Sequence, residues 1–158
     1  MSESQQVIVH ATAVAFDSAA AGGAGPVGVL LRGAPGSGKS DLALRLIDRG
    51  ATLVADDRTV LRREGAAVLL SPPDTIRGRL EVRGLGIVPV DHAAAVPLLL
   101  IIDLVAADKI ERMPLPRRET VLGQAVSLIS LAPFETSAPA KVRLAVRAAA
   151  CGILHRLE

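Results

Sequence analysis

"GVLLRGAPGSGKSDLALRLIDRGATLVADD", residues 28–57, decides the architecture. Val27 to Leu31 is a short continuous apolar run, the pattern of a strand buried on both faces. After the glycine-rich turn, Leu42, Ala43, Leu46 and Ile47 fall at helical spacing between Ser40 and Arg49, and Gly50 stands where a helix would be capped. Ala51 to Ala55 then reads as a second buried strand, ending in Asp56 and Asp57. Strand, turn, helix and strand make a βαβ unit, whose crossover is expected to be right-handed.

The turn itself, Gly33-Ala34-Pro35-Gly36-Ser37-Gly38-Lys39-Ser40, satisfies GxxxxGK[ST]. Glycines let the backbone curl so that successive N–H groups point inward at phosphate oxygens. Lys39 adds charge at the outer phosphates, and Ser40 offers a hydroxyl to Mg²⁺. The helix that follows brings its positive end to the same place. A flexible loop is the competing reading, but the pattern both follows a predicted strand and opens a predicted helix, which is the context a phosphate cradle requires. The two acids close the next strand, so they should emerge at the same sheet edge, where ligands of open α/β sheets bind.

Outward from this unit, VIVHATAVAF (7–16) alternates and reads as a strand pair or one long strand, and residues 17–26 as a small-residue loop. RTVLRRE and AAVLLSP flank Glu64-Gly65 as a hairpin, and residues 80–90 alternate up to a proline. PLLLIIDLV is a third strong apolar strand. From Pro139 to Glu158 the residues Val142, Ala145, Val146, Ala149, Ile153 and Leu154 share one helical face, so the chain should end in a packing helix.

At 158 residues the chain has the length of one domain, 1–158. Half its residues are apolar but only Phe16 and Phe134 are aromatic. The core must therefore come from Ala, Val, Leu and Ile, and stacking platforms for single-stranded nucleic acid are scarce. A net charge of +2 argues for no polyanion partner, nucleic acid included. Cys151 is alone, which excludes an internal disulfide and suggests a buried small hydrophobe. Neither a signal-peptide pattern nor an apolar run of roughly 18 residues is present. The expectation is a cytoplasmic protein that meets no membrane. Guanine-reading GTPases carry an Asn-Lys-x-Asp motif, and this sequence has no Asn.

Taken together, GxxGxGKS, LALRLIDRG, LVADD, LEVRGLGI (80–87) and "ERM" with Leu115 resemble the catalytic domain of HPr kinase/phosphorylase, over about His10 to Leu115. That resemblance implies an α/β P-loop domain of the phosphoenolpyruvate carboxykinase-like type, with a mixed central sheet. It implies ATP and Mg²⁺ as cofactors, and a serine of HPr, or of a nitrogen-type HPr homologue, as acceptor. A homo-oligomer, the family's hexamer, is the implied assembly. The shortness of the chain is similar to that of a truncated alphaproteobacterial branch without the family's N-terminal domain. Residue by residue, Lys39 and Ser40 match the phosphate-binding lysine and magnesium-binding serine, and Glu81 matches the second magnesium ligand. His10 and Arg112 match an active-site histidine and arginine. The acid that accepts the serine proton lies in the Asp56-Asp57 pair, placed at Asp57 with the choice between neighbours open.

Each residue also has a plainer role: His10 and Glu81 as ordinary strand residues, Arg112 as half of a surface pair with Glu111, and the two acids as a polar turn. The stretch corresponding to the family's basic phosphorolysis segment, SLAPFETSAPAKVR, has only Lys141 and Arg143 for positive charge. A kinase is thus better supported than the reverse reaction. A small-metabolite kinase and a non-catalytic nucleotide sensor are the alternatives.

Overall fold

The alternating stretch at the amino end divides at His10 into β1 (Gln6–Val9) and β2 (Ala11–Phe16) in a computed structural model that describes residues 5–17, 23, 25–152 and 154. Most of the small-residue loop expected after Asp17 lies outside the described residues. β3 (Val27–Arg32) leads into the glycine turn and α1 (Lys39–Asp48), and β4 (Thr52–Ala55) follows. The cap of α1 is a complete C-terminal closure. Gly50 at φ 106° donates its N–H to the Ile47 carbonyl, and Ala51 donates to Leu46, both at 3.0 Å. β5 (Thr59–Glu64) and β6 (Ala67–Ser71) form the expected hairpin. β7 (Arg79–Val82) and β8 (Gly86–Pro89) form a separate two-stranded sheet that carries LEVRGLGI. β9 (Val96–Leu104), β10 (Arg117–Val121), β11 (Gln124–Leu131) and α2 (Ala138–Ala150) complete the chain.

Among the described residues one mixed sheet runs β1-β5-β6-β9-β3-β2-β4, with β11 also beside β9 and β10 beside β11. β3, β9 and β11 are parallel, whereas β2 is antiparallel to both its neighbours. The βαβ expectation therefore needs correcting: β3 and β4 run the same way but are separated by β2. Two apolar runs joined by a helix reveal their direction but not what inserts between them. β1 lies at one edge and β2 next to the other, yet only His10 separates them along the chain. The sheet must curl on itself to allow this.

The curl makes two apolar layers. Val14, Val29, Leu31, Leu100 and Ile102 pack on one face under Leu42, Leu46, Val142 and Val146 of the helices. The opposite face holds Ala11, Ala13, Leu30, Val54, Leu70 and Ile101. Small side chains on β2 suit that face, because strands that curve toward one another leave little room between them. The aliphatic core is as expected. Phe16 joins it at 3% exposure, whereas Phe134 stands 71% exposed. α2 stops at Ala150, earlier than the expected stretch to Glu158, whose last residues fall mostly outside the described set. Cys151 caps the helix and is exposed, which corrects the expectation of a buried thiol.

At the carboxyl end of β3, Arg32 holds Asp103 of β9 at 2.7 Å and Glu119 of β10 at 2.5 Å. Its hydrogen bonds to Asp103, then to Glu119, raise its pKa, so the guanidinium stays charged throughout the working range. No helix among the described residues is long and apolar enough to cross a membrane.

Leu31 is fully buried between the cradle strand and α1. Leu31→Ala is expected to cost about 2–5 kcal/mol of stability by removing those contacts and leaving a void, read as a lower urea midpoint with unchanged slope.

Candidate active site

Gly33 to Ser40 curl at the carboxyl end of β3, with Ser37 N–H closing a turn on the Ala34 carbonyl at 2.9 Å. Gly38 serves as the N-cap of α1 at φ 100°, a left-handed conformation that favours glycine. A β-carbon there would also lie 3.0 Å from the Phe134 ring. Lys39 is the first helical residue and is 8% exposed. Its ammonium donates to the Gly33 and Ala34 carbonyls at 2.8 and 3.3 Å and lies 4.0 Å from Asp57 Oδ1. The charge spans the distance from cradle to acid.

The adjacent acids do different things. Asp56, 8% exposed, accepts Ser40 Oγ at 2.7 Å and Thr12 Oγ1 at 3.2 Å on one oxygen, and the Glu81 N–H at 3.0 Å on the other. Buried carboxylates need such donors. Asp57 is two-thirds exposed at φ 63°, the apex of a three-residue turn in which Arg58 N–H returns to the Asp56 carbonyl at 2.7 Å. A side chain in this conformation is strained and is held by its surroundings. Here the hold is Thr12 Oγ1, which accepts the Asp57 N–H at 3.0 Å. A bulge on β4, where Ala55 pairs with Ala13 but Leu53 with Val14, turns the strand just before these acids.

Glu81 on β7 reaches this cluster through its backbone, and its carboxylate is exposed with no partner among the described residues. His10 is exposed beside the start of β2, whose first residue pairs with Arg32 at the end of the cradle strand. It therefore stands at the cradle's edge of the sheet. Arg112 lies exposed in the loop before β10 with no partner among the described residues, so the surface pair with Glu111 does not form. The two positive charges of the carboxyl-terminal segment are both engaged, Lys141 with Glu135 at 2.6 Å and Arg143 with the Arg49 carbonyl at the end of α1, at 2.8 Å.

Two residues of this region escape sequence reasoning. Thr12 is a polar residue on the β2 stripe shared by Val14 and Phe16, which was a readable signal. Arg45 on α1 donates to the Pro133 and Glu135 carbonyls and so fastens the 132–135 segment to the cradle helix. Nothing local foretells that contact.

A profile described as HPr Serine kinase C-terminal domain matches residues 24–129. The chain belongs to this family. Similar curated proteins include the HPr kinase/phosphorylase of Chlorobium phaeovibrioides, 40% identical over 121 residues that make up 68% of this chain and 36% of that protein. That of Chlorobium limicola is 52% identical over 66 residues, 40% of this chain and 20% of the relative. The chain thus spans roughly a fifth to two-fifths of these curated relatives. The solved Hpr(Ser) kinase/phosphatase from Coxiella burnetii superposes with a TM-score of 0.78 at 29% identity, covering 93% of this chain and 92% of that one. The P-loop and the mixed, curled sheet with its terminal helix are accordingly those of the HPr serine kinase C-terminal domain.

Thr12→Val removes one donor from buried Asp56 and the acceptor of the Asp57 N–H. A loss of about 1–3 kcal/mol is expected by urea denaturation, with Thr12→Ser keeping most of the stability.

Proposed function

We propose that this chain moves the γ-phosphoryl group of ATP to a seryl hydroxyl of HPr or of a nitrogen-type HPr homologue. The observation that carries the reading is the division between neighbouring acids. Asp56 is occupied by three donors and cannot also act as a base without releasing them. The Asp57 carboxylate accepts no hydrogen bond among the described residues, is exposed, and lies 4.0 Å from the cradle lysine, its ion-pair partner.

In this reading the amides of residues 33–40 hold the phosphates, and Lys39 draws charge from the oxygens on which it builds up. Ser40 and Glu81 would hold Mg²⁺. The fit rests on Ser40: its proton is directed to Asp56 Oδ1, which leaves the oxygen lone pairs free to face a cation. Few protein ligands are expected at such a site, since Mg²⁺ is held by one or two side chains together with phosphates and water. When bound, Mg²⁺ neutralises charge on the phosphate oxygens. Asp57 orients the seryl hydroxyl and takes its proton as the new O–P bond forms and the bond to ADP breaks, a transfer whose demands are mainly position and charge. His10, at the same edge, and Arg112 complete the proposed site by resemblance.

Asp57→Asn is expected to lower transfer of labelled phosphate from ATP to HPr by at least about a hundredfold while leaving ATP affinity within about threefold, the signature of an interaction made in the transition state. Lys39→Ala should lose both. Phosphoserine on HPr, found by mass spectrometry, is the positive result. Label on a small alcohol instead, or ATP-dependent HPr binding with no transfer, would replace this reading with a metabolite kinase or a nucleotide sensor. Full turnover by Asp57→Asn would move the base elsewhere.

A further inference from the structure

Next to the cradle, on the side away from the acids, lies a cavity of about 560 Å³ bordered by Ser37, Leu104, Ala107, Ala132, Pro133 and Phe134. Its place follows from the strand order. Asp56 and Asp57 leave β4, reached from β3 by crossing β2, whereas the cavity is built from the segments that leave β9 and β11, on the other flank of β3. A nucleotide whose phosphates lie on residues 33–40 with the γ-phosphate toward Asp57 must direct its other end across Ser37 to the β9 and β11 side. We propose that this cavity holds the purine ring of that nucleotide, a proposal that rests on the phosphate-cradle reading above.

Three observations carry it. Ser37 belongs to the cradle and also borders the cavity, so the two are continuous, and its buried Oγ has no hydrogen-bond partner among the described residues. Phe134, 71% exposed, is kept beside the cradle: a β-carbon on Gly38 would sit 3.0 and 3.1 Å from its ring atoms. An aromatic face in that position has an apolar, planar ligand as its natural partner. Finally, Arg45 bonds the carbonyls of Pro133 and Glu135, so the wall bearing Phe134 moves with the helix that opens at the cradle.

The lining also limits what can be recognised. Apart from Ser37, the one polar side chain at the border is Glu135, and Lys141 already pairs with it. Such a site reads ring size and flatness more than exocyclic groups. GTP is therefore expected to bind within about tenfold of ATP, since strong discrimination needs buried polar partners.

The test uses the full chain with Mg²⁺ and two probes, ATP and inorganic tripolyphosphate, each titrated calorimetrically. Phe134→Ala and the rim-blocking Ala106→Trp, both at exposed positions, should weaken ATP by about tenfold or more and leave tripolyphosphate unchanged. Phe134→Trp adds the single tryptophan of a chain that has none. Its emission should respond to ATP and not to tripolyphosphate. ATP affinity unchanged in Phe134→Ala and Ala106→Trp, with tripolyphosphate still bound, overturns the purine site alone, as does an ATP preference over GTP beyond a hundredfold. Failure of the parent chain to bind tripolyphosphate overturns the cradle reading instead, and the purine site with it.

Discussion

The carboxylate of Asp56 is where three separate pieces of the chain meet. Its partners are a hydroxyl from α1, a hydroxyl from β2 and a backbone N–H from β7. Removed from water, a carboxylate is costly unless its oxygens are supplied with donors, and charged acceptors make stronger hydrogen bonds than neutral ones. The same group therefore stabilises when complete and penalises any arrangement that lacks a donor. That asymmetry makes it a strong selector of one geometry. Ser40 cannot be where it is unless α1 starts at Lys39, and Glu81 cannot be unless the LEVRGLGI hairpin folds back over the end of β4.

With Asp56 committed in this way, Asp57 is forced into the left-handed turn and outward. The pair thus resolves into a structural acid and an available one without any difference in residue type. Their order along the chain decides which is which, because β4 is buried up to Ala55 and the first acid beyond it inherits the buried side. Thr12 serves both, giving a proton to Asp56 and accepting one from Asp57, and so fixes the relative position of the two carboxyl groups.

How much of this could be read from the letters depends on how local each determinant is. The cradle, α1 and its Gly50 cap are set by residues within a few positions of one another, and they appear where the spacing places them. The alternation of β5 and β6 about Gly65 is likewise local. Strand order is not, since the insertion of β2 between β3 and β4 is a choice among distant partners, and apolar runs pair equally well in several orders. His10 shows the limit well. VIVHATAVAF alternates without interruption, and only the curl of the sheet reveals that the chain changes partners at that residue, from β5 to β3 and β4. The Asp56-Asp57 division and the Arg45 clamp depend on contacts 16 to 90 positions away, beyond any periodicity argument.

The cradle also needs a fixed point of departure, and Arg32 provides it. It is the last residue of β3, directly before Gly33, and its guanidinium binds two carboxylates on β9 and β10. Planar bidentate geometry of this kind fixes direction as well as distance. These groups are roughly a third exposed, so their contribution to global stability is modest. Their effect is better understood as positional. The left-handed backbone of this region, relaxed at Gly36 and Gly38 but strained at Asp57, is confined to loops that start from strand ends held on both flanks, by Arg32 with Asp103 and Glu119 on one side and by Thr12 with Asp56 on the other. Strain persists only where surrounding contacts over-determine the conformation. A cradle whose amides already point inward has less ordering to undergo when an anion arrives, so more of the interaction energy remains as affinity.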